Sequence, residues 1–339
     1  MKTEMLTEKD AEIAGEILRD GGLVAIPTET VYGLAANALD GEAVSNIFKA
    51  KGRPMDNPLI VHVAKKEDVA PLVKEIPPLA FKLMDHFWPG PLTIIMPKSD
   101  LIPDEVSAGL DTVAIRMPSH PVARKIIEAS SVPLAAPSAN TSGKPSPTTA
   151  EHVYEDLVGK INAIVDGGAC DVGVESTVIT LCSEIPRLLR PGKVTPEELA
   201  SVLGPIKVDD AVLHPLKDGA VVMSPGMKYK HYSPTANVIV VSGTLSDFRN
   251  YVNEKVLENE GNIAALVFDG EETGLNCKTL SFGRKDSDTD HANRLFGALR
   301  KSDELGMDTV YVRCPSAEGV GLAVMNRLLR AAEFQVIEL

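Results

Sequence analysis

The sequence has little cysteine and few aromatic residues. Its 339 residues include four cysteines and one tryptophan, and aromatic residues make up 4% of the chain. The cysteines form no C-x-x-C pair and are widely spaced, at Cys170, Cys182, Cys277 and Cys314. This spacing argues against a disulfide framework and against a zinc site. Unpaired thiols fit a reducing compartment, so we predict a cytoplasmic location.

Long apolar runs are also absent. Runs such as 59–63 and 263–268 are far shorter than the ~18 residues of a membrane-spanning segment. The first ten residues, MKTEMLTEKD, are acidic and contain no apolar core of a signal peptide, so no secretory signal is expected. We therefore predict no association with a membrane.

Positive charge is scarce overall but concentrated locally. The net charge is −13, which argues against a protein built to coat nucleic acid. Residues 213–235 nevertheless carry three lysines against one aspartate. An acidic chain that binds a polyanion needs its cations brought together at one place, and this expectation guides the search for a site.

Apolar strands alternate with helical stretches along residues 1–212. We predict strands at 23–26, 59–63, 92–96, 113–117, 134–136, 163–165 and 177–181. We predict helical stretches at 41–50, 66–75, 78–87, 120–129, 149–158 and 195–204. Strands that alternate with helices indicate an α/β sheet, and consecutive strands near 177–189 indicate that some pairs are antiparallel.

The remainder of the chain divides into a linker and a second domain. Residues 213–235 are basic and bounded by prolines, which predicts a restrained linker that lies over the site. From residue 236 we predict strands at 237–242, 263–268, 278–282 and 309–313, with helices at 246–259, 289–305 and 320–333. This alternation predicts a smaller Rossmann-like α/β domain at 236–339, after a catalytic domain at 1–212.

The usual nucleotide-binding signatures are missing. No G-x-x-x-x-G-K-[ST] loop is present, so an ordinary P-loop is excluded. Gly319 and Gly321 open a predicted helix after a strand, but the third glycine of the dinucleotide fingerprint is absent. Close packing of helix on sheet explains this pair of glycines better than a ligand does.

Polar residues follow several predicted strands of the first domain, where ligands bind in α/β sheets. The segment PTETVYG at 27–33 has hydroxyls and a carboxylate in one turn, and a capped turn would have a similar composition. Lys51 and Arg53 flank a glycine and could converge on phosphate oxygens. His62 lies within an apolar strand, where a core histidine is the alternative.

Three further segments supply charge or small polar groups. Arg116 ends an apolar strand, so it needs an anionic partner, either a ligand or an Asp/Glu of the protein. The loop at 136–146, APSANTSGKPS, lets backbone N–H groups approach an anion, although a surface loop would look similar. Arg190 ends another strand. The arm SPGMKYKHYSP at 224–234 could cover a phosphate-bearing ligand or be an exposed tether.

The motifs together resemble the long form of the threonylcarbamoyl-AMP synthase family. The segments that carry the resemblance occur in family order between residues 27 and 234, and the tail resembles the family's C-terminal domain. They are PTETVYGLAANA, KGRPMDNPLIVH, FWPGPLT, TVAIRMPSHP, LAAPSANTSGKPSPT, GVESTVI, LLRPG and SPGMKYKHYSP. The resemblance implies a YrdC-like catalytic domain with a twisted mixed α/β sheet and a positively lined cavity.

The resemblance also implies a reaction and its partners. L-threonine, bicarbonate and ATP would give L-threonylcarbamoyladenylate and diphosphate, with Mg²⁺ accompanying the ATP. The product would pass to a downstream tRNA threonylcarbamoyltransferase for modification of position 37 in tRNA. Direct binding of tRNA is left open and is not required.

Site residues follow from the same resemblance, position by position. Residues matching the family's threonine contacts are Thr30, His62, Arg116 and Ser176. Residues matching or neighbouring its ATP contacts are Lys51, Arg53, Asn57, Thr112, Ser138, Asn140, Ser146, Arg190, Tyr229 and His231. No general base is named, and no carboxylate cluster stands out that would hold a metal without phosphates.

Two other functions are compatible with parts of this pattern. A carbamoyltransferase that acts through carbamoyl-adenylate uses a related domain, but its zinc-finger cysteines and acylphosphatase domain do not occur here. An RNA-binding module could use a positive cavity, but the net charge of −13 weighs against it.

Overall fold

The computed structural model describes residues 2–215, 231–258 and 261–339. Within these residues the chain forms two compact units. The first takes in residues 2–142 and 146–212, and the second takes in 143–145, 213–215 and the described residues from 231 onward. The basic arm at 224–234 therefore lies largely outside the described residues.

The first unit is built on an eleven-stranded mixed sheet. Its strands are β1 (Glu4–Thr7), β2 (Val24–Ile26), β3 (Gly33–Asn37), β4 (Ile60–His62), β5 (Leu92–Pro97), β6 (Thr112–Arg116), β7 (Leu134–Ala135), β8 (Ala163–Asp166), β9 (Thr177–Thr180), β10 (Arg187–Arg190) and β11 (Lys207–Val208). They lie in the order β1-β8-β2-β3-β7-β4-β6-β5-β9-β10-β11. Parallel pairs such as β4 with β6 alternate with antiparallel pairs such as β5 with β6, which confirms the predicted mixed α/β sheet.

Seven helices accompany this sheet in the described residues. They are α1 (Ala11–Arg19), α2 (Gly41–Lys51), α3 (Pro78–Phe87), α4 (Asp104–Ser107), α5 (Pro121–Ser130), α6 (Ala150–Leu157) and α7 (Pro196–Leu203). Five of them, α2, α3, α5, α6 and α7, lie within a residue of their predicted bounds. The exception is 66–75, where a 3-10 helix spans Lys66–Leu72 and contains Pro71. Pro71 has no backbone N–H, so the stretch cannot continue as a regular α-helix.

The ends of α2 place two of the candidate cations. Asp40 begins the helix by accepting hydrogen bonds from the backbone N–H groups of Glu42 and Ala43, at 2.9 and 3.2 Å. Gly52 ends it with a φ of 63°, a left-handed conformation that glycine adopts without strain. The last helical residue, Lys51, is buried, whereas Arg53 beyond the turn is half-buried.

The core of the first unit lies on both faces of the sheet. One apolar cluster includes Leu34, Val61 and Ile115, and a second includes Val24 and Leu134. Because helices cover both faces, the central strands are continuous apolar runs, as the sequence shows. Polar side chains at the ends of these strands are therefore buried beside the core.

The second unit is a smaller, all-parallel α/β domain. Its strands are β12 (Asn237–Ser242), β13 (Ile263–Val267), β14 (Lys278–Ser281), β15 (Thr309–Arg313) and β16 (Val336–Glu338), in the order β14-β13-β15-β12-β16. Its helices are α8 (Leu245–Leu257), α9 (Asp288–Glu304) and α10 (Gly321–Ala331). The parallel sheet confirms the predicted Rossmann-like character.

Packing explains Gly321, the glycine that begins α10. A Cβ atom at Gly321 would lie 2.6 Å from the backbone oxygen of Ser316 and 3.0 Å from Oδ2 of Asp288. Such close approaches exclude a side chain, so the glycine is required without any ligand. Among residues 2–215, 231–258 and 261–339, every helix is too short or too polar to span a lipid bilayer.

Candidate functional site

Arg116, the last residue of β6, is the centre of a buried polar group. Its side chain is 4% exposed, and its Nη2 atom forms an ion pair with Oε1 of Glu29 at 2.7 Å. Its Nη1 atom donates to Oγ1 of Thr30 at 2.9 Å, and its Nε atom donates to the backbone oxygen of Gly90 at 3.3 Å. The guanidinium is therefore held in one orientation by contacts with two other segments of the chain.

The turn after β2 presents Glu29 and Thr30 to this arginine. Thr28 Oγ1 accepts from the backbone N–H groups of Thr30 and Val31, at 3.2 and 3.3 Å, and donates to the Val31 oxygen at 2.6 Å. Such a side-chain-to-backbone turn is what threonine favours locally. Thr28 Oγ1 also lies 2.9 Å from Thr30 Oγ1, so hydroxyls link the turn to Arg116.

His62 lies opposite Arg116 in the parallel pairing of β4 with β6. Burial, together with the charge of Arg116, lowers the pKa of His62 to about 3, so the imidazole is neutral at physiological pH. Its Nδ1 atom lies 3.2 Å from the Ile60 oxygen. A carbonyl oxygen only accepts, so Nδ1 donates to Ile60 in the neutral tautomer that carries its hydrogen on Nδ1.

A second group joins Ser176 to Arg190 at the end of β10. Arg190 donates from Nε to the Ser176 backbone oxygen at 3.0 Å and from Nη2 to its Oγ atom at 3.1 Å. Ser176 Oγ lies 2.8 Å from Oγ1 of Thr93. Thr93 in turn lies opposite Arg116 in the antiparallel pairing of β5 with β6. The group around Arg190 therefore extends to β5, the strand adjacent to the one that carries Arg116.

Lys51 supports the polar loop at 136–146. Its Nζ atom donates to the backbone oxygens of Ser138 and Asn140, the latter at 2.6 Å. The loop also lies against the turn after β2, because the Ala139 N–H donates to the Tyr32 oxygen at 2.8 Å. The lysine thus orients the loop that carries two candidate ATP contacts, Ser138 and Asn140.

Two candidate ATP-binding residues lie near the end of α2. Arg53 Nη2 donates to the Asn57 backbone oxygen at 3.3 Å. The Asn57 side chain is fully buried, and among the described residues neither its amide nitrogen nor its amide oxygen has a hydrogen-bond partner. Buried polar groups are rarely left in this state, so a ligand or water is the expected partner.

Ser146 completes the polar loop from the other side. It is fully buried, and its hydroxyl donates a short hydrogen bond to Oε1 of Glu175. The next residue in the chain is Pro147, whose oxygen accepts from the Tyr32 N–H at 2.9 Å. Ser146 is thereby tied both to the segment that carries Ser176 and to the turn after β2.

The remaining predicted residues lie apart from these contacts. Thr112 begins β6 whereas Arg116 ends it, which separates them by about 13 Å along an extended strand. His231 is in the second unit, with its ring 5.5 Å from that of Tyr232. Tyr229 lies outside the described residues. Their predicted roles in binding ATP stay predictions.

Sequence reasoning did not assign Glu29, Thr93 or Glu175 to the site. All three are buried, and each lies within a segment that carries the family resemblance. The sequence feature that could have identified them is a carboxylate or hydroxyl within an otherwise apolar motif at the end of a strand. Their partners are distant in sequence, so the pattern alone could not reveal which cation or hydroxyl each one contacts.

The described side chains do not fit a metal held by the protein. In the part of the chain that the structure describes, no group of three or more His, Cys, Asp or Glu side chains could hold a metal ion. Glu29 is paired with Arg116, and Glu175 accepts from Ser146. The site instead offers cations, hydroxyls and amides, which suit phosphate and carboxylate groups.

Two family models match the chain. A model described as telomere recombination, Sua5_yciO_yrdC, matches residues 16–192. A second, described as the threonylcarbamoyl-AMP synthase C-terminal domain, matches residues 194–333. The two models follow one another along the chain and together account for both units.

Relatives match over nearly the full length. The threonylcarbamoyl-AMP synthase of Pyrococcus abyssi (strain GE5 / Orsay) is 48% identical over 337 residues, covering 99% of this chain and 97% of that protein. That of Bacillus subtilis (strain 168) is 46% identical over 340 residues, with coverage of 99% and 97%. A crystal structure described as P. abyssi Sua5 complexed with L-threonine has a TM-score of 0.93 and 46% identity, covering 100% of both chains.

Proposed function

Since the chain belongs to the Sua5 family of threonylcarbamoyl-AMP synthases, in the form with two domains, we propose that its first unit converts L-threonine, bicarbonate and ATP into threonylcarbamoyl-AMP and diphosphate. The family membership makes the chain an ATP-using nucleotidyltransferase of tRNA modification. The substrates and residue roles given below are inferred from the contacts in the first unit and from the relatives.

The threonine subsite is formed by Thr30, His62, Arg116 and Ser176. The contacts of Arg116 with Thr30, its strand pairing with His62 and its link through Thr93 to Ser176 support this grouping. Arginine binds a carboxylate with charge-assisted hydrogen bonds. The P. abyssi protein was crystallised with L-threonine, which supports an amino-acid subsite in this fold.

The ATP subsite is formed by cations and small polar groups next to it. Arg53 and Arg190 would bind phosphate oxygens, and Lys51 would hold the loop that faces them. The single observation that carries this assignment is the buried, unpartnered side chain of Asn57 beside Arg53. Further contacts would come from Thr112, Ser138, Asn140, Ser146, Tyr229 and His231.

The reaction depends on placing two substrates correctly. The amine of threonine forms a bond to the carbon of CO2 derived from bicarbonate, with loss of water, and this gives a carbamate. A carbamate oxygen then attacks the α-phosphorus of ATP, and the bond to the leaving diphosphate breaks. Such transfers are catalysed chiefly by positioning and charge neutralisation. Arg53 and Arg190 supply that charge at the phosphates, Arg116 positions the threonine carboxylate, and no general base is assigned.

Mg²⁺ would enter with ATP as part of the substrate, held by phosphate oxygens and water. No step is assigned to protein ligands of the metal, since the described carboxylates do not fit that role. The product would then be consumed by a tRNA threonylcarbamoyltransferase. A cytoplasmic location stays a prediction from the cysteine pattern.

A direct assay tests this function. With ATP and Mg²⁺ present, diphosphate release should require both threonine and bicarbonate. Diphosphate release that depends on carbamoyl phosphate and not on threonine would instead indicate a carbamoyltransferase. Tight RNA binding with a steep salt dependence and no turnover of ATP would indicate an RNA-binding module. The full-length relatives support the first outcome.

A further inference from the structure

Glu29 and Arg116 form a buried pair whose hydrogen-bonding capacity is largely unused. Their ion-pair distance is 2.7 Å, and the two side chains are 7% and 4% exposed. The contact falls outside hydrogen-bond geometry. Among the described residues, neither carboxylate oxygen of Glu29 and no N–H of Arg116 Nη2 has a hydrogen-bond partner. Beyond their mutual ion pair, the Glu29 carboxylate and Arg116 Nη2 therefore keep buried hydrogen-bonding capacity that a ligand could use.

The charges around this pair balance. Arg116 contributes one positive charge and Glu29 one negative charge, while burial keeps His62 neutral by lowering its pKa to about 3. Burial also raises the pKa of the neighbouring Cys170 thiol to about 12, so the thiol is uncharged. The Glu29–Arg116 pair is therefore dipolar with no net charge. A free amino acid at neutral pH has the same character, with one ammonium and one carboxylate group.

We propose that Glu29 binds the α-ammonium group of the substrate amino acid, so that Glu29 and Arg116 together hold it as a zwitterion. The ammonium would donate to the two unsatisfied carboxylate oxygens, and the α-carboxylate would accept from Nη2 of Arg116. This inference rests on the proposed function, which places threonine beside Arg116 but assigns no partner to its amino group.

Glu29 acts in binding rather than in removing a proton. Burial, the largest single influence, raises the pKa of Glu29, but the charge of Arg116 and polar contacts with Arg116 and with the backbone together outweigh burial and lower the pKa. A carboxylate that stays ionised holds an ammonium group well and accepts a proton poorly. The pair thus selects a ligand that carries both charges, and it disfavours a ligand that lacks the amino group because Glu29 would remain unsatisfied.

The test compares two ligands that differ only in the amino group. Isothermal titration of the full chain would measure binding of L-threonine and of (R)-3-hydroxybutanoate, which is smaller and therefore fits the same space. The unaltered protein should bind threonine at least tenfold more tightly. In Glu29→Gln, threonine binding should weaken at least tenfold, so that the preference is lost. Glu128→Gln, a change at an exposed residue of α5, should leave the preference unchanged.

The outcomes separate the alternatives. If Glu29→Gln weakens both ligands equally, Glu29 acts only through Arg116 and the ammonium contact is wrong. An unchanged preference overturns the inference but not the proposed function. If the unaltered chain does not bind threonine, the proposed function fails and the inference fails with it. Should Glu29→Gln not fold, Glu29→Asp is the second variant; it keeps the charge and must retain a preference for threonine. Equal binding of the two ligands by the unaltered chain overturns the inference.

Discussion

His62 and Arg116 lie opposite each other in neighbouring parallel strands, and the arginine helps to keep the histidine uncharged. A protonated imidazole beside a buried guanidinium would place two like charges in a medium of low dielectric. The pairing therefore gives the site one fixed cation and one neutral imidazole. It also has a consequence for stability that can be measured.

Acid should destabilise the protein through His62. In the unfolded chain the ordinary pKa is 6.5, and folding lowers it to about 3, so below pH 6.5 the unfolded state binds the extra proton. The contribution of neutral His62 to stability is fully present above pH 6.5. It is lost as the pH falls toward 3, by up to about 1.4 kcal/mol per pH unit. Urea unfolding between pH 5 and pH 6.5 should show a shallower slope in His62→Gln. The exposed-residue control His86→Gln should keep the original slope, and an equal slope in all three proteins would contradict a neutral His62.

Arg53→Ala should remove activity without removing the fold. Arg53 is half-buried and donates a long hydrogen bond to the Asn57 oxygen, so we expect its replacement to lower thermal stability far less than activity. Loss of a phosphate contact made in the transition state should lower the rate of adenylate formation about 100-fold or more. The activity of Arg53→Lys should lie between that of the unaltered protein and that of Arg53→Ala, since lysine keeps the charge but not the planar fork. An Arg53→Ala protein with full activity would refute the phosphate role.

Asn57→Ala should affect activity more than stability. The side chain is buried without partners among the described residues, and such a group costs about 1–3 kcal/mol when left unsatisfied. Removing the unsatisfied amide offsets the cost of the small cavity that the substitution creates. The free energy of unfolding should therefore stay within about 1 kcal/mol of the original value or rise. ATP-dependent turnover should fall at least about tenfold.

Asn162→Ala provides the matched comparison for Asn57. The Asn162 Oδ1 atom accepts from the Leu23 N–H at 2.9 Å, so this variant should lose about 1–2 kcal/mol of stability and keep its activity. Chemical denaturation and initial rates on both variants provide the check. If Asn57→Ala lost as much stability as Asn162→Ala, with unchanged turnover, Asn57 would be a structural residue.

Lys51→Met should behave differently from Arg53→Ala. The ammonium group holds the Ser138 and Asn140 oxygens, and leaving these acceptors unsatisfied should lower the free energy of unfolding by about 1–3 kcal/mol. Activity should fall as well, because the loop loses its orientation. Lys49→Met, two residues earlier on the same helix and exposed, should leave both quantities unchanged. A stable but inactive Lys51→Met protein would show that the ammonium binds phosphate directly.

Much of the fold is evident from the sequence. Strand β15 has the predicted bounds, and β9 and α3 lie within a residue of theirs. The hydrophobic pattern did not predict strands whose side chains are small or whose length is short. Strand β3 reads GLAAN, whose small residues have no strand signal, and β1 and β16 are short strands at the edges of their sheets. Such strands are stabilised by their neighbours rather than by intrinsic preference.

The candidate site was only partly evident. Arginine at the end of an apolar strand requires a partner, and this expectation holds for Arg116. The identity of that partner, Glu29, depends on how the turn after β2 lies against β6, which no local pattern encodes. The same is true of Lys51, whose contacts with backbone oxygens 87 and 89 residues away arise only in the folded chain.

The most direct test of the account is a single labelling experiment. The full chain would be incubated with ¹³C-bicarbonate, L-threonine, ATP and Mg²⁺, and the adenylate would be identified by mass spectrometry while diphosphate is quantified. We expect one labelled carbon in threonylcarbamoyl-AMP for each diphosphate released, and neither product when threonine is omitted. Diphosphate release without threonine, or an adenylate without the label, would contradict the account.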